Sequence, residues 1–121
     1  MDKALQITFH GMAPSDTVAA HVRDRVAKLE RFSKRVTRCH VTVEIPHRHH
    51  RHGKHYRVCI ELSVPGRTLV VSRDPAEKVE HEELVTAIDD AFADARRVLE
   101  EWARVRRGDV KRHREAAALR R

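Results

Sequence analysis

The interval between apolar residues constrains this chain more than any other feature. Between residues 4 and 9 apolar residues alternate with polar ones: Leu5, Ile7 and Phe9 are separated by Gln6 and Thr8. Alternation places one set on one face of an extended strand. From 16 to 34 the interval lengthens, and Val18, Val22, Val26, Leu29 and Phe32 recur at the spacing of one helix face. Ser15 ahead of that segment predicts an N-cap, and Asp16 an acid in the first turn. Alternation returns over 37–46, with Cys39, Val41, Val43 and Ile45 inward and Pro46 as the stop, and again over 55–64, with Tyr56, Val58, Ile60, Leu62 and Val64. Pro65-Gly66 is a tight-turn signal, and residues 67–73, apolar at Leu69, Val70 and Val71, follow as a fourth strand. The helical interval resumes over 81–107 with Leu84, Ile88, Phe92, Ala95, Leu99 and Trp102, and Gly108 predicts its C-cap.

This pattern predicts an α+β fold of order β-α-β-β-β-α: a two-layer sandwich in which a four-stranded sheet carries two helices on one face. The last three strands form an antiparallel meander. The 121 residues suit a single domain with its own core. We expect it to span 1–108, with 109–121 as a basic, flexible tail. No apolar run approaches the roughly 20 residues needed to cross a bilayer, and Met1-Asp2-Lys3-Ala4 lacks the apolar stretch of a signal peptide. A cytoplasmic location is therefore expected.

Charge narrows the function. Twenty-five Lys and Arg against 18 Asp and Glu leave a net charge of +7, which favours a polyanionic partner, nucleic acid before an acidic membrane. On the first helix His21, Lys28, Arg31 and Arg35 share a flank, Arg25 borders the buried stripe, and Asp24 is the acid among them. An ordinary solvated helix face would also show such a flank. The last helix is acidic in its first half and basic in its second, a polarity that also suits the helix dipole. Phe9, Phe32, Phe92 and Trp102 fall on buried stripes, and Tyr56 reads inward too. The exposed aromatics that single-strand RNA readers stack on bases are thus missing, and binding should rest on phosphates and RNA shape.

The sequence offers little for catalysis or cofactors. It has no Gly-rich phosphate loop, no Gly-x-Ser-x-Gly elbow and no His-Glu-x-x-His, since His81-Glu82-Glu83 lacks the second histidine. Glu44 and Glu61 belong on the open side of the sheet. We expect no enzyme, no cofactor and no small-molecule substrate. Cys39 falls on the inward set of its strand and Cys59 on the outward set of the next, which predicts two free thiols. Residues 47–55 are His-Arg-His-His-Arg-His-Gly-Lys-His. His47, His49, His50, His52 and His55 contain metal-ligand chemistry, but without cysteines at ligand spacing they predict no structural metal site. With Arg48, Arg51 and Lys54 between them, the loop reads as an RNA or metal contact whose positive charge grows as histidines protonate below about pH 6.5.

The element order, the segment Val22-Arg23-Asp24-Arg25-Val26-Ala27-Lys28-Leu29-Glu30-Arg31-Phe32 and Thr86-Ala87-Ile88-Asp89 in the last helix together resemble the ribosome hibernation-promoting factor / protein Y family, also called sigma-54 modulation proteins, in its short form. The resemblance spans about residues 5–112. It implies a fold similar to double-stranded-RNA-binding domains. It also implies binding to the small ribosomal subunit, in the channel used by mRNA and tRNA anticodon ends, with inhibition of translation in stationary phase or stress. The RNA contacts it implies are Arg25, Lys28 and Arg31 on the first helix, and Arg97, Arg104 and the basic run to Arg112 on the last. Arg35, Arg107 and Lys111 complete the candidate set from the charge pattern. Asp94 and Glu101 stand where short family members carry lysine, the histidine-rich loop is unlike theirs, and the tail is basic rather than acidic. No dimerisation domain is evident. Two other readings stay open: a general RNA-binding module acting off the ribosome, and a metal-binding protein using the histidine loop.

Overall fold

The computed structural model describes residues 4–45, 56–73 and 84–119, with side chains as far as 108. The order is β1 (Leu5–His10), α1 (Asp16–Phe32), β2 (Arg38–Glu44), β3 (Arg57–Val64), β4 (Arg67–Arg73) and α2 (Leu84–Leu119). The four strands form one sheet in the order β1-β2-β3-β4. β2, β3 and β4 pair antiparallel, as the meander requires, while β1 pairs with β2 in parallel. A parallel pair cannot be closed by a hairpin, so the chain between β1 and β2 must cross over the sheet, and α1 is that crossover.

Strand register carries the sequence alternation across the sheet as continuous rows. Leu5, Cys39, Leu62 and Leu69 form one inward row, and Ile7, Val41, Ile60 and Val71 the next. The row Phe9, Val43 and Val58 completes that face. Val22, Val26 and Leu29 of α1 and Ile88, Phe92, Leu99 and Trp102 of α2 join these rows in a single buried cluster. The opposite face is polar: Gln6, His40 and Glu61 make one row, Thr8, Thr42, Cys59 and Ser72 another. Thr8 Oγ1 and His40 Nε2 share a 2.8 Å hydrogen bond there. Val70 also faces this side and is 60% exposed, so in the Leu69-Val70-Val71 run only the flanking residues are core.

Local chemistry sets the ends of the elements. Ser15 is extended (φ −125°) and its hydroxyl accepts from Val18 N–H, capping α1. Ser33 N–H closes the other end on Leu29 O at 2.9 Å, so α1 ends at Phe32, two residues short of the predicted end at 34. Gly66 at φ +87° after Pro65 satisfies the backbone demand of a type II turn. Gly11 has φ +71°, and a Cβ on it would lie 2.6 Å from Ile45 O. The reason is that Ile45 N–H donates to His10 O at 3.0 Å, bringing the end of β2 against this turn. Gly11→Ala is therefore expected to lower stability by about 2–3 kcal/mol, strain and displacement combined. Urea denaturation measures it.

Gly108 does not end the last helix. It lacks positive φ, nothing approaches its Cβ position, and the helix continues to Leu119. One interior glycine costs only about 1 kcal/mol against alanine. Good helix formers at Ala116–Ala117–Ala118 follow it. The stop expected at 108 is corrected accordingly. The predicted start at 81 and the loop 47–55 lie outside the described residues.

Both thiols are free, Cys39 wholly buried and Cys59 partly exposed, as strand parity predicts. Burial, helped by the Glu30 carboxylate, pushes the Cys39 thiol up from 9.0 to about 12. Burial also raises Cys59, with Glu61 adding to it. Below pH 9.0 the Cys39 thiol stays protonated whether the chain is folded or not. Between 9.0 and about 12 only the unfolded chain releases the proton, so stability should fall by about 1.4 kcal/mol per pH unit. Denaturation at pH 8 and pH 10.5 measures that loss, and Cys39→Val should remove this component of it.

Candidate nucleic-acid interface

Chain direction brings the two helices side by side. Each returns antiparallel to the strand before it, and β1 and β4 point the same way, so α1 and α2 run parallel. Three contacts fix their alignment. His21 Nε2 donates to Asp89 Oδ1 at 2.7 Å, Arg25 Nε lies 2.7 Å from the same oxygen, and the Arg96 guanidinium sits 4.4 Å from the centre of the Phe32 ring. The Arg25 contact is an ion pair by distance but is off the hydrogen-bond axis. Farther along, Arg106 donates to Pro65 O at 3.1 Å and stacks over Trp102, placing that part of α2 beside the β3–β4 turn.

A groove of about 240 Å³ lies between the helices, lined by Arg25, Lys28, Leu29, Phe32, Asp89, Phe92, Ala93 and Arg96. Three of the cations in and around it are internally neutralised. Arg25 shares Asp89 with His21. Lys28 Nζ is 3.3 Å from Asp24, and Arg96 Nε 3.5 Å from Glu100. Lys28 is half exposed, so its pair is weak and easily exchanged for a phosphate. Arg96, stacked on Phe32, is a groove cation that the candidate set omitted. The sequence marked it as basic, but nothing in the sequence showed that Phe32 would lie beneath it.

The other candidates separate in space. Arg31 and Arg35 stand exposed where α1 ends, with no side-chain ion pair among the described residues. Arg97 pairs with Asp94 on the side of α2 nearer β4, where Arg73 also binds Asp90 at 3.2 Å. Asp94, which stands where short family members carry lysine, thus takes Arg97 as a direct partner. Arg104 and Arg107 are exposed on α2 beyond the groove. Lys111 and Arg112 lie on the same helix, with side chains outside the described residues. His47, Arg48, His49, His50, Arg51, His52 and Lys54 lie outside the described residues altogether. Among the described residues no group of three His, Cys, Asp or Glu is arranged to hold a metal. No described helix is long and apolar enough to cross a membrane.

Comparison with known proteins agrees with this architecture. The family model described as Sigma 54 modulation protein / S30EA ribosomal protein matches residues 5–107. Among solved structures, the fold is similar to the Protein Y N-terminal domain of Thermus thermophilus, at 17% identity and a TM-score of 0.62, covering 81% of this chain and 97% of that one. It is also similar to a ribosomal subunit interface protein from Coxiella burnetii, at 12% identity and a TM-score of 0.66, covering 82% of this chain and 96% of that one. At such identities these two likenesses establish the fold alone. No match was found among curated proteins. The family model spans both helices and all four strands, and on that match the chain belongs to the Sigma 54 modulation protein / S30EA ribosomal protein family of ribosome-associated factors.

Proposed function

We propose that this chain is a hibernation-type translation inhibitor that binds the small ribosomal subunit, in the channel used by mRNA and tRNA anticodon ends. It acts in the cytoplasm by occupancy rather than by catalysis. The observation that carries the reading is the family match over 5–107, on a chain of net charge +7. Ribosomal RNA phosphates are the ligands we assign to Arg25, Lys28, Arg31, Arg35, Arg97, Arg104 and Arg107 within a binding domain of 1–108. Lys111 and Arg112 extend the set along α2, and the histidine-rich loop is a further RNA contact.

Binding of this kind exchanges internal carboxylates for phosphates. Asp89 is the carboxylate most worth removing, since it holds both Arg25 and His21. Asp89→Ala is expected to lower stability by about 1 kcal/mol, because all three groups are partly solvated. It should tighten RNA binding by about 2- to 5-fold by freeing Arg25. Thermal melts and a binding titration on the same variant check the two opposite signs.

Co-sedimentation with separated ribosomal subunits across a salt series tests the function. The expected result is binding to small subunits that falls steeply as salt rises. Free protein at the top of the gradient at low salt would overturn it. Equal binding to unrelated duplex RNA would point instead to a module acting off the ribosome.

A further inference from the structure

Three of the chain's acid-free segments carry cations that the fold gathers at one place. No acid occurs between Glu30 and Glu44, where Arg31, Lys34, Arg35 and Arg38 lie. None occurs between Glu61 and Asp74, where Arg67 opens β4, nor between Glu101 and Asp109, where Arg104, Arg106 and Arg107 lie. The fold brings the basic parts of all three to one end of the sheet. Arg38 pairs with Ser63 across β2 and β3, and Val64 pairs with Arg67 across β3 and β4. Thr37 N–H and its hydroxyl both donate to Ser63 O, fastening the α1–β2 connector to the end of β3. Arg106 on Pro65 O brings α2 to the same place.

The helix dipole explains only part of this cluster. Cations near the end of α1 offset its carbonyl end, which accounts for Arg31, Lys34 and Arg35. It does not account for Arg38 and Arg67, which sit on strands, nor for Arg104 and Arg107, since α2 continues to Leu119. Lys34, Arg38 and Arg67 are exposed and have no ion-pair partner among the described residues, unlike Arg25, Lys28, Arg96 and Arg97 in and beside the groove. Unpaired guanidinium and ammonium groups with no carboxylate nearby are what a phosphate backbone displaces least charge to reach.

We infer that this end face, built from Lys34, Arg38 and Arg67 beside Arg104 and Arg107, is a second RNA-phosphate contact of the domain, separate from the inter-helix groove. The inference rests on the RNA-binding reading above and adds three residues that the candidate set did not contain. The surface joins the end of α1 to the open edge of the β3–β4 turn, so the bound backbone runs around the end of the sheet rather than along the helices alone.

The test compares the full chain with Lys34→Gln/Arg38→Gln/Arg67→Gln on purified small subunits and on a protein-free RNA hairpin, each over a salt series. Exposed positions should keep the fold, with at most a small drop in melting temperature from the loss of Lys34 near the end of α1, and Arg67→Gln alone supplies a variant without that cost. Loss of three phosphate contacts should lower the salt slope by about 2–3 and weaken binding by about 10- to 100-fold near 0.15 M salt on both probes. The single variant should lose about a third of that slope. Wild-type affinity and slope in the triple variant would overturn the inference while leaving the function standing. Weaker binding to subunits with an unchanged slope and unchanged hairpin affinity would overturn the phosphate assignment in favour of a ribosomal protein surface. Failure of the unmodified chain to bind small subunits at low salt would remove the function, and this inference with it.

Discussion

Lys28→Glu/Arg31→Glu is expected to weaken binding to small ribosomal subunits by about 100- to 1,000-fold near 0.15 M salt, with little effect on folding. Each lost phosphate contact removes about 0.7–0.9 from the salt slope, and reversing the charge replaces an attraction with a repulsion of similar size. The stability cost stays small because both side chains are exposed. Lys28 gives up a weak i,i+4 pair with Asp24 and gains a like-charged neighbour, worth a few tenths of a kcal/mol. Arg31 loses a favourable place in the last turn of α1, worth about 0.3–1 kcal/mol. The same pair of changes should cost less on unrelated duplex RNA, where no fixed geometry requires these two side chains. Equal losses on both would point to a non-specific module.

Ile60→Ala is expected to be the most damaging single truncation for the fold, at about 2–5 kcal/mol. Ile60 is wholly buried on β3, an interior strand, between Val41 and Val71 in the inward row and in one core cluster with residues of both helices. A domain of this size is stable by about 5–15 kcal/mol, so the midpoint should drop by roughly 8–20 °C. Val70→Ala supplies the contrast. Val70 is adjacent to the same inward row but faces solvent, so its loss should stay within about 0.5 kcal/mol. Melts of the two variants side by side measure how sharply the two faces of the sheet differ.

The difference between Ile60 and Val70 also shows where the sequence is legible. Strict alternation in β2 and β3 assigned every inward residue, because a period of two leaves only one way to bury the apolar set. It even separated Cys39 from Cys59. In β4 three apolar residues stand in a row, and alternation alone does not choose a face; the pairing of Val71 with Ile60 does. Gly108 was misleading for a related reason. A glycine just past an apolar stripe reads as a C-cap, but a lone glycine costs a helix only about 1 kcal/mol, and α2 runs through it to Leu119.

The candidate interface was legible as charge and not as pairing. The basic flank of α1 could be read from the chain, and so could the acid at Asp94 where short family members carry lysine. That Asp89 would hold Arg25 and His21 could not, since His21 and Asp89 are 68 residues apart and meet only because the crossover makes the helices parallel. The end face was hidden in the same way. Arg38 and Arg67 read as ordinary strand ends until the strands were in register. The useful signal was the absence of acids from three segments, visible in the sequence but meaningful only once those segments converge.

The most direct measurement of the central claim is competition on the small subunit. Labelled protein bound to purified small subunits is challenged with an mRNA and its cognate tRNA anticodon stem-loop. Occupancy of the shared channel predicts that the two ligands together displace the protein, and that the protein in turn blocks their binding with the same apparent affinity. Simultaneous saturation of the subunit by protein, mRNA and tRNA would contradict it.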